Sequence, residues 1–507
     1  MDEATKCVTE YGDFQTPRAL AEGVCRLLSA RGISPAAVLE PTCGLGNFIC
    51  EAMHAFPQAQ RFLGFDINRV YVAKAREETA REHPGQSVVI KEGNFFDLDW
   101  KKIVDGLPRP LLVIGNPPWV TNSALAALGS GNLPEKSNFQ NHGGFAAKTG
   151  KSNFDISEWM LIRLFESLDG DDATIAMLTK AAVARKVLLH AWKKGLRVEK
   201  ADVYSIDAIE HFSASVEACL MVCKLSAGGM ARECSVHKNL GSGSTGSFGF
   251  RDGRLIADTA KFERWRHLLG QSPYKWRSGI KHDCSKVMEF RRDGAVYVNG
   301  HGERVELEDD YLFPMLKSSE LANGGKAPER WMLVTQRFVG QDTSTIAQEA
   351  PMTWKYLRAH AEELGRRGSS IYKDKPEFSI FGVGEYSFSG WKVAISALYK
   401  KLDFRVLGGV SGKPIVLDDT ASLVSCESQE EAEYIAGLLN SAVARDFYGA
   451  FIFWDAKRPI TIDLLDQLDL HSVADECGSV QIFEKFKKTW AQPGHTPFLP
   501  HFAGGPF

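Results

Sequence analysis

Residues 111–119 read LLVIGNPPW, an apolar, β-branched run that stops at Asn116-Pro117-Pro118-Trp119. The asparagine amide, the carbonyls beside it and the indole make a compact set of hydrogen-bonding and stacking groups. Neither proline has an N–H to donate and each fixes its own φ, so a buried strand cannot carry its ladder through them and must end at Asn116. In an open α/β sheet, ligands lie in the crevice outside the carboxyl ends of the strands. The spacing therefore puts Asn116 at the mouth of a ligand crevice.

The elements before it carry matching ends. DFQTPRALAEGVCRLLSA reads as a polar entry, a proline in the first turn and a helix with Leu20, Val24, Leu27 and Leu28 on one face. VLEPTCGLGNFICEAM reads as a short strand at Val38-Leu39, Glu40 at its end, a turn with Gly44 and Gly46, and an amphipathic helix. FLGFDIN ends a second strand at Asp66, about 20 residues beyond the glycines, where an acidic side chain in a nucleotide-binding βαβ unit accepts from ribose hydroxyls. VVIKEGNFFDL ends a third at Asn94-Phe95. Four strand ends bearing acidic, amide and aromatic groups read together as an adenosine-shaped site.

Three more strands are expected at ATIAMLTKAA, at VEKADVYSI and over Val216 to Leu225, the last two close enough to pair antiparallel. Between NPPW and a helix near Ile156 to Leu168 lies a Gly-, Ser-, Asn- and Lys-rich stretch in which KSNF occurs twice, a length of loop that is usually functional.

At 507 residues the chain is too long for one core. A net charge of −3 does not exclude a local basic face. No run approaches the roughly 18 to 20 apolar residues of a membrane span, and MDEATKCVTE is too polar for a signal peptide, so a cytoplasmic protein is expected. Ten scattered cysteines without a CxxC pair suggest neither a metal site nor a disulfide framework.

FQTP, LEPTCGLGNF, GFDIN, GNFF, GNPPW and HFSASVEA, in this order, resemble the S-adenosylmethionine-dependent N(6)-adenine DNA methyltransferases, specifically the TaqI-like and Eco57I-type family. The resemblance covers residues 11–228 in motif order. It implies a Rossmann-like α/β domain with a seven-stranded, mostly parallel sheet whose last strand is antiparallel, followed by an α+β target-recognition domain. It also implies that Thr16, Glu40 and the turn Pro41, Thr42, Cys43, Gly44 and Gly46 hold the methionine part of the cofactor. Asp66 with Ile67 would hold the ribose, and Asn94 with Phe95 the adenine ring. Asn94 stands where the TaqI-like pattern has an aspartate; its amide oxygen can still accept, without charge. Asn116, Pro117, Pro118 and Trp119 match the catalytic tetrapeptide, with Trp where Tyr or Phe is commoner. Phe212 matches the position that stacks, with Trp119, on a flipped base.

The chemistry suits these residues. The exocyclic nitrogen of adenine is a poor nucleophile, its lone pair being delocalised into the ring. Acceptors on its two N–H groups, the Asn116 oxygen and the Pro117 carbonyl, favour a pyramidal nitrogen and stabilise the developing positive charge. Rival substrates for the same tetrapeptide are an RNA adenine, a cytosine amino group or a protein glutamine. A rival of another class is an inactive DNA-binding defence subunit.

The second half changes character. Residues 229–262, with NLGSGSTGSFGF, read as a linker or hairpin, 263–470 as the target-recognition domain and 471–507 as a tail. Short aromatic strands are expected around Trp276, LFPMLKSSEL, WMLVTQRFVG and FSIFGVGEYSFSGWKVAIS, and amphipathic helices at EEAEYIAGLLNSAVARDFYGAF and after Pro459. Arg366, Arg367, Lys373, Lys375, Lys392, Lys400 and Lys401, interleaved with aromatics, are the candidate DNA-binding residues. The expected partners are double-stranded DNA and, in a restriction–modification pair, a separately encoded restriction endonuclease. No nuclease domain is read before Thr16, so no cleavage by this chain is expected.

Overall fold

The computed structural model describes residues 15–121, 155–294, 296–324 and 328–490. The chain divides into two compact units, residues 1–260 and 261–507. Both KSNF copies and the last residues of the expected tail lie outside the described residues.

The first element among the described residues is α1 (Arg18–Ala30), which buries Leu20, Ala21, Val24, Cys25 and Leu28 along one stripe, as the spacing requires. Strands and helices then alternate: β1 (Ala37–Glu40), α2 (Asn47–Ala55), β2 (Arg61–Asp66), α3 (Arg69–Glu82), β3 (Val88–Glu92), α4 (Trp100–Asp105) and β4 (Leu111–Gly115). After these come α5 (Ile156–Ser167), β5 (Ala173–Lys180), α6 (Ala181–Lys194), β6 (Val198–Ile206), α7 (Ala208–Phe212) and β7 (Ala218–Leu225).

The strands run side by side as β6-β7-β5-β4-β1-β2-β3, and β7 is antiparallel to both of its neighbours. All five residues of β4 are buried, as expected for a parallel strand covered on both faces. Leu112 and Ile114 pack with Val38, with Val24 and Leu28 of α1, and with Phe48, Ile49 and Met53 of α2. The pleat turns Leu111 and Val113 to the opposite face. β1 pairs in parallel with β2 on one side and β4 on the other, which makes the β1/β4 boundary the point where strand order reverses.

The segment expected as a linker or hairpin extends this sheet. β8 (Glu233–His237) runs parallel to β6, β9 (Ser244–Arg251) returns beside it, and β10 (Arg254–Ile256) pairs with β9. The first unit thus runs past residue 228. A buried polar cluster holds β8 in place: His237 Nε2 lies 2.8 Å from Asp202 Oδ1 on β6, its Nδ1 lies 3.2 Å from the Ser242 carbonyl, and its ring stacks on Tyr204 at 4.3 Å. Arg31, just past α1, reaches the same carboxylate at 3.3 Å.

Among the described residues the second unit holds two sheets. The larger has the order β14-β13-β12-β16-β15-β19, from β12 (Glu289–Asp293), β13 (Val296–Asn299), β14 (Arg304–Val305), β15 (Leu312–Leu316), β16 (Arg330–Leu333) and β19 (Val416–Leu417). The smaller is β11-β20-β17-β18, from β11 (Arg277–Ser278), β17 (Trp391–Ser396), β18 (Arg405–Leu407) and β20 (Ala421–Cys426). The long helix expected over 430–451 is broken: α8 (Gln429–Asn440) stops before Ser441, whose hydroxyl accepts from Ala444 N and caps α9 (Ala442–Gly449). The expected tail begins instead with α10 (Leu470–Glu476) and α11 (Val480–Trp490), whose Leu470, Val473, Ala474 and Phe483 join the core around Trp276, Phe404 and Tyr448. No helix among the described residues is long and apolar enough to cross a membrane.

Removing one partner of a buried hydrogen bond leaves the other short of a contact, here Asp202, which keeps Arg31. His237→Ala should therefore cost roughly 1 to 3 kcal/mol, read as a lowered urea midpoint for the first unit. An unchanged midpoint would mean that β8 does not depend on Asp202.

Candidate active site

Across the sheet, the carboxyl ends of β2, β1, β4 and β5 carry Asp66, Glu40, Asn116 and Lys180 in a row. Between β1 and α2 the chain turns through Gly44 (φ 49°) and Gly46 (φ 84°), conformations that side chains rarely adopt. Asp66 fastens this turn: one carboxylate oxygen accepts from Gly44 N and the other from Asn68 N, each at 2.8 Å. The Cys43 N–H donates to the Phe65 carbonyl at 2.7 Å. Gln15, absent from the expected site, accepts from Leu45 N at 3.1 Å, and a Cβ on Gly44 would stand 2.5 Å from its Oε1. Thr16 is buried and contributes its backbone carbonyl, which accepts from Asn47 Nδ2 at 2.8 Å. Pro41 and Cys43 are buried, while Thr42 and Asp66 are half-buried and Ile67 is exposed.

Glu40 lies under this turn and is 3% exposed. Burial, reinforced by the Asp66 charge and opposed by one hydrogen bond from Ile49 N at 3.2 Å, raises its carboxyl well above the usual range. A cationic ligand group at this edge is what such a carboxyl favours, and the sulfonium and ammonium groups of S-adenosylmethionine fit that need.

At the end of β3, Asn94 and Phe95 are adjacent to this edge but partly committed. The Asn94 oxygen accepts from Phe96 N at 3.2 Å and its amide donates to Asp97 at 3.0 Å. Phe95 is buried, its ring 4.4 Å from Trp100, while Phe96 beside it is half-buried.

The tetrapeptide adjoins Glu40 closely. Gly115 has φ 156°, and a Cβ there would meet Glu40 Cγ at 3.4 Å. The Thr42 hydroxyl reaches the Asn116 carbonyl at 3.5 Å. Asn116 and Pro118 are half-buried, and Pro117 and Trp119 are buried. Trp119 and Phe212, expected as stacking partners for a base, meet each other edge to face with centroids 5.1 Å apart, and both belong to the core cluster. They form no ready slot for a ring between them.

Lys180 and Asp155 were not among the expected site residues. Lys180 Nζ donates to the Trp119 carbonyl at 3.0 Å and to Asp155 Oδ2 at 2.7 Å; Asp155 Oδ1 accepts from Ser157 N at 3.1 Å and caps α5. Ile156 N donates to the Val120 carbonyl at 2.8 Å. The signals were present as a lysine closing β5 and an aspartate opening α5, but only the fold brings them to residue 119.

In the second unit the expected DNA-binding residues separate. Lys373, Lys375, Lys400 and Lys401 are exposed. Arg366 is exposed and paired with Glu362. Arg367 is turned inward: its guanidinium donates to the carbonyls of Leu364, Ser379 and His282 and lies 3.7 Å from the Tyr372 ring centre. Lys392 is 1% exposed, donates to the Ser389 carbonyl, and is pulled by burial to a pKa of about 8. The last two are structural, because β17 and the 364–379 turn bury their stems and engage them with backbone carbonyls.

The chain is 45% identical over 471 residues to the Type II methyltransferase M.NspV of Nostoc sp., a match covering 92% of this chain and 98% of that protein. It belongs to the Type II methyltransferase family. The methyl donor of that family is S-adenosylmethionine. No family model matches the chain. Among solved structures, the Type IIL restriction–modification enzyme MmeI in complex with DNA superposes with a TM-score of 0.52 at 13% identity, over 97% of this chain and 71% of MmeI; that likeness is one of fold.

The Glu40 environment makes a pH prediction. A cation beside Glu40 binds best to its carboxylate, so below the raised Glu40 pKa each molecule of cofactor bound must expel a proton. Affinity for S-adenosylmethionine should rise with pH, by up to about tenfold per unit, and level off above that pKa. In calorimetric titrations Glu40→Gln should bind more weakly and lose this slope. A slope retained by the variant would assign it to another group.

Proposed function

We propose that this methyltransferase is a site-specific DNA adenine enzyme, which transfers the methyl group of S-adenosylmethionine to the exocyclic amino group of an adenine turned out of the duplex. The observation that carries the reading is the adjacency of the two half-sites at the β1/β4 boundary, where a Cβ on Gly115 would meet Glu40 and the Thr42 hydroxyl reaches the Asn116 carbonyl. A methyl donor held by the β1 turn and an amine held by Asn116 would then be neighbours. Double-stranded DNA is the proposed substrate because the relative is a Type II methyltransferase and MmeI was solved bound to DNA.

In this reading the Asn116 oxygen and the Pro117 carbonyl accept from the two amino hydrogens and stabilise the charge that grows on nitrogen as it attacks. The cofactor supplies a methyl group activated by its sulfonium. Transfer is a direct in-line displacement, so orientation is a large part of the rate. Thr16 and the 41–46 turn line the methionine side, Asp66 and Ile67 the ribose side, and Asn94 with Phe95 the adenine side. A base leaving the stack costs a few kcal/mol, and exchanging the Trp119–Phe212 contact for stacking on one of these rings offsets part of it. The enzyme acts in the cytoplasm, as an orphan or beside a separately encoded endonuclease.

Asn116→Ala removes an acceptor aimed at the amine. We expect kcat to fall by roughly 10²-fold or more while calorimetry finds unchanged affinity for S-adenosylmethionine. Equal losses in kcat and cofactor affinity would move Asn116 into the cofactor site and overturn its assigned role.

A further inference from the structure

The larger sheet of the second unit contains an arrangement that does not serve its own stability. In the β12–β16 register Arg291 stands directly opposite Arg330, and like charges in that position repel. Both line a cleft of about 490 Å³ with Lys286 and Lys317. Its acidic lining residue, Glu289, is already engaged: Lys317 Nζ lies 2.6 Å from Oε1, His282 Nε2 lies 3.4 Å from the same oxygen, and Arg330 lies 3.8 Å from Oε2. Burial opposes ionisation of Glu289, but the hydrogen bonds from His282 and Lys317 prevail and hold its carboxyl below the usual range. Arg330 is further oriented by Glu320 at 3.4 Å.

Lys286 and Arg291, by contrast, are exposed and have no carboxylate partner among the described residues. Several exposed arginines of the unit are paired, Arg304 with Asp293, Arg358 with Glu377 and Arg366 with Glu362, while Arg337 and Arg445 donate to a carbonyl and an amide oxygen instead. One wall of the cleft is nearly bare backbone. Gly300 N donates to the Lys286 carbonyl at 2.8 Å, and a Cβ on Gly300 would stand 2.6 Å from Lys286 Cα. Gly302 follows with φ 83°. The cleft therefore combines two positioned cations, two unpaired ones and an open mouth.

We infer that this cleft binds the phosphodiester backbone of double-stranded DNA. The inference rests on the proposed DNA substrate and deepens it. Phosphate is the anion for which arginine's fixed fork of donors is best shaped, and it would relieve the Arg291–Arg330 repulsion. The residues at 286–330 then add a phosphate-binding surface to the 366–405 segment, of which Arg367 and Lys392 are taken up by the fold.

The test is fluorescence anisotropy of the full-length protein with a labelled mixed-sequence duplex, titrated from about 50 to 200 mM salt. Lys286→Ala, Arg291→Ala and Arg330→Gln, made singly, should each weaken binding and flatten the log–log salt slope by about 0.9 for every phosphate that the variant no longer neutralises. Arg358→Ala is the control and should match the unaltered protein. Calorimetric binding of S-adenosylmethionine and the thermal midpoint, which should not move, distinguish a weaker grip on phosphate from a damaged fold; Lys286 and Arg291, both exposed, are the variants least open to that confusion. Three variants with undiminished slopes, on a protein that itself binds duplex with a clear salt dependence, would overturn the cleft and leave the DNA reading standing. An unaltered protein with no salt-dependent binding would overturn both.

Discussion

Everything at the site depends on where strand order reverses. β1 has β2 on one side and β4 on the other, both parallel to it, so the loops leaving β1 and β4 are drawn apart to opposite faces and a crevice opens between their ends. Pro117 and Pro118 keep β4 from filling that crevice, since neither can extend the ladder. A Cβ on Gly115 would stand against Glu40, so the two strand ends are immediate neighbours. The result is an acidic, buried β1 end beside an amide-bearing β4 end.

Around that boundary the fold spends polar groups on rigidity. Asp66 holds the glycine turn and the start of α3 with its two oxygens, and Asn68 caps that helix in turn. On the other side Lys180 grips the Trp119 carbonyl and is itself held by the Asp155 cap of α5. Both clamps act on backbone next to the expected reacting groups, which is where a displacement reaction gains most from fixed geometry. Lys180 is best described as a positioning residue.

Much of this was legible in the sequence because it rests on local patterns. Seven strands, the α1 stripe and the strand ends at Glu40, Asp66, Asn94 and Asn116 follow from apolar runs punctuated by glycine, proline and polar residues. What stayed hidden depends on distant contacts. Residues 233–256 are short and rich in Gly and Ser, and become strands only because the edge of β6 is there to pair with. Lys392 and Arg367 look like surface cations in composition, yet one is buried in β17 and the other clamps three carbonyls. Arg291 and Arg330 are 39 residues apart in sequence, and only strand register sets them face to face.

In the proposed reaction the two ends meeting at the β1/β4 boundary bring a methyl donor to the amino group of adenine. The most direct measurement is nucleoside mass spectrometry of duplex DNA incubated with the purified protein and S-adenosylmethionine carrying an isotopically labelled methyl group. The account predicts label in N(6)-methyladenine and none in methylated cytosine. Label on a cytosine, or label found only in RNA or protein when these are offered alongside the duplex, would contradict it.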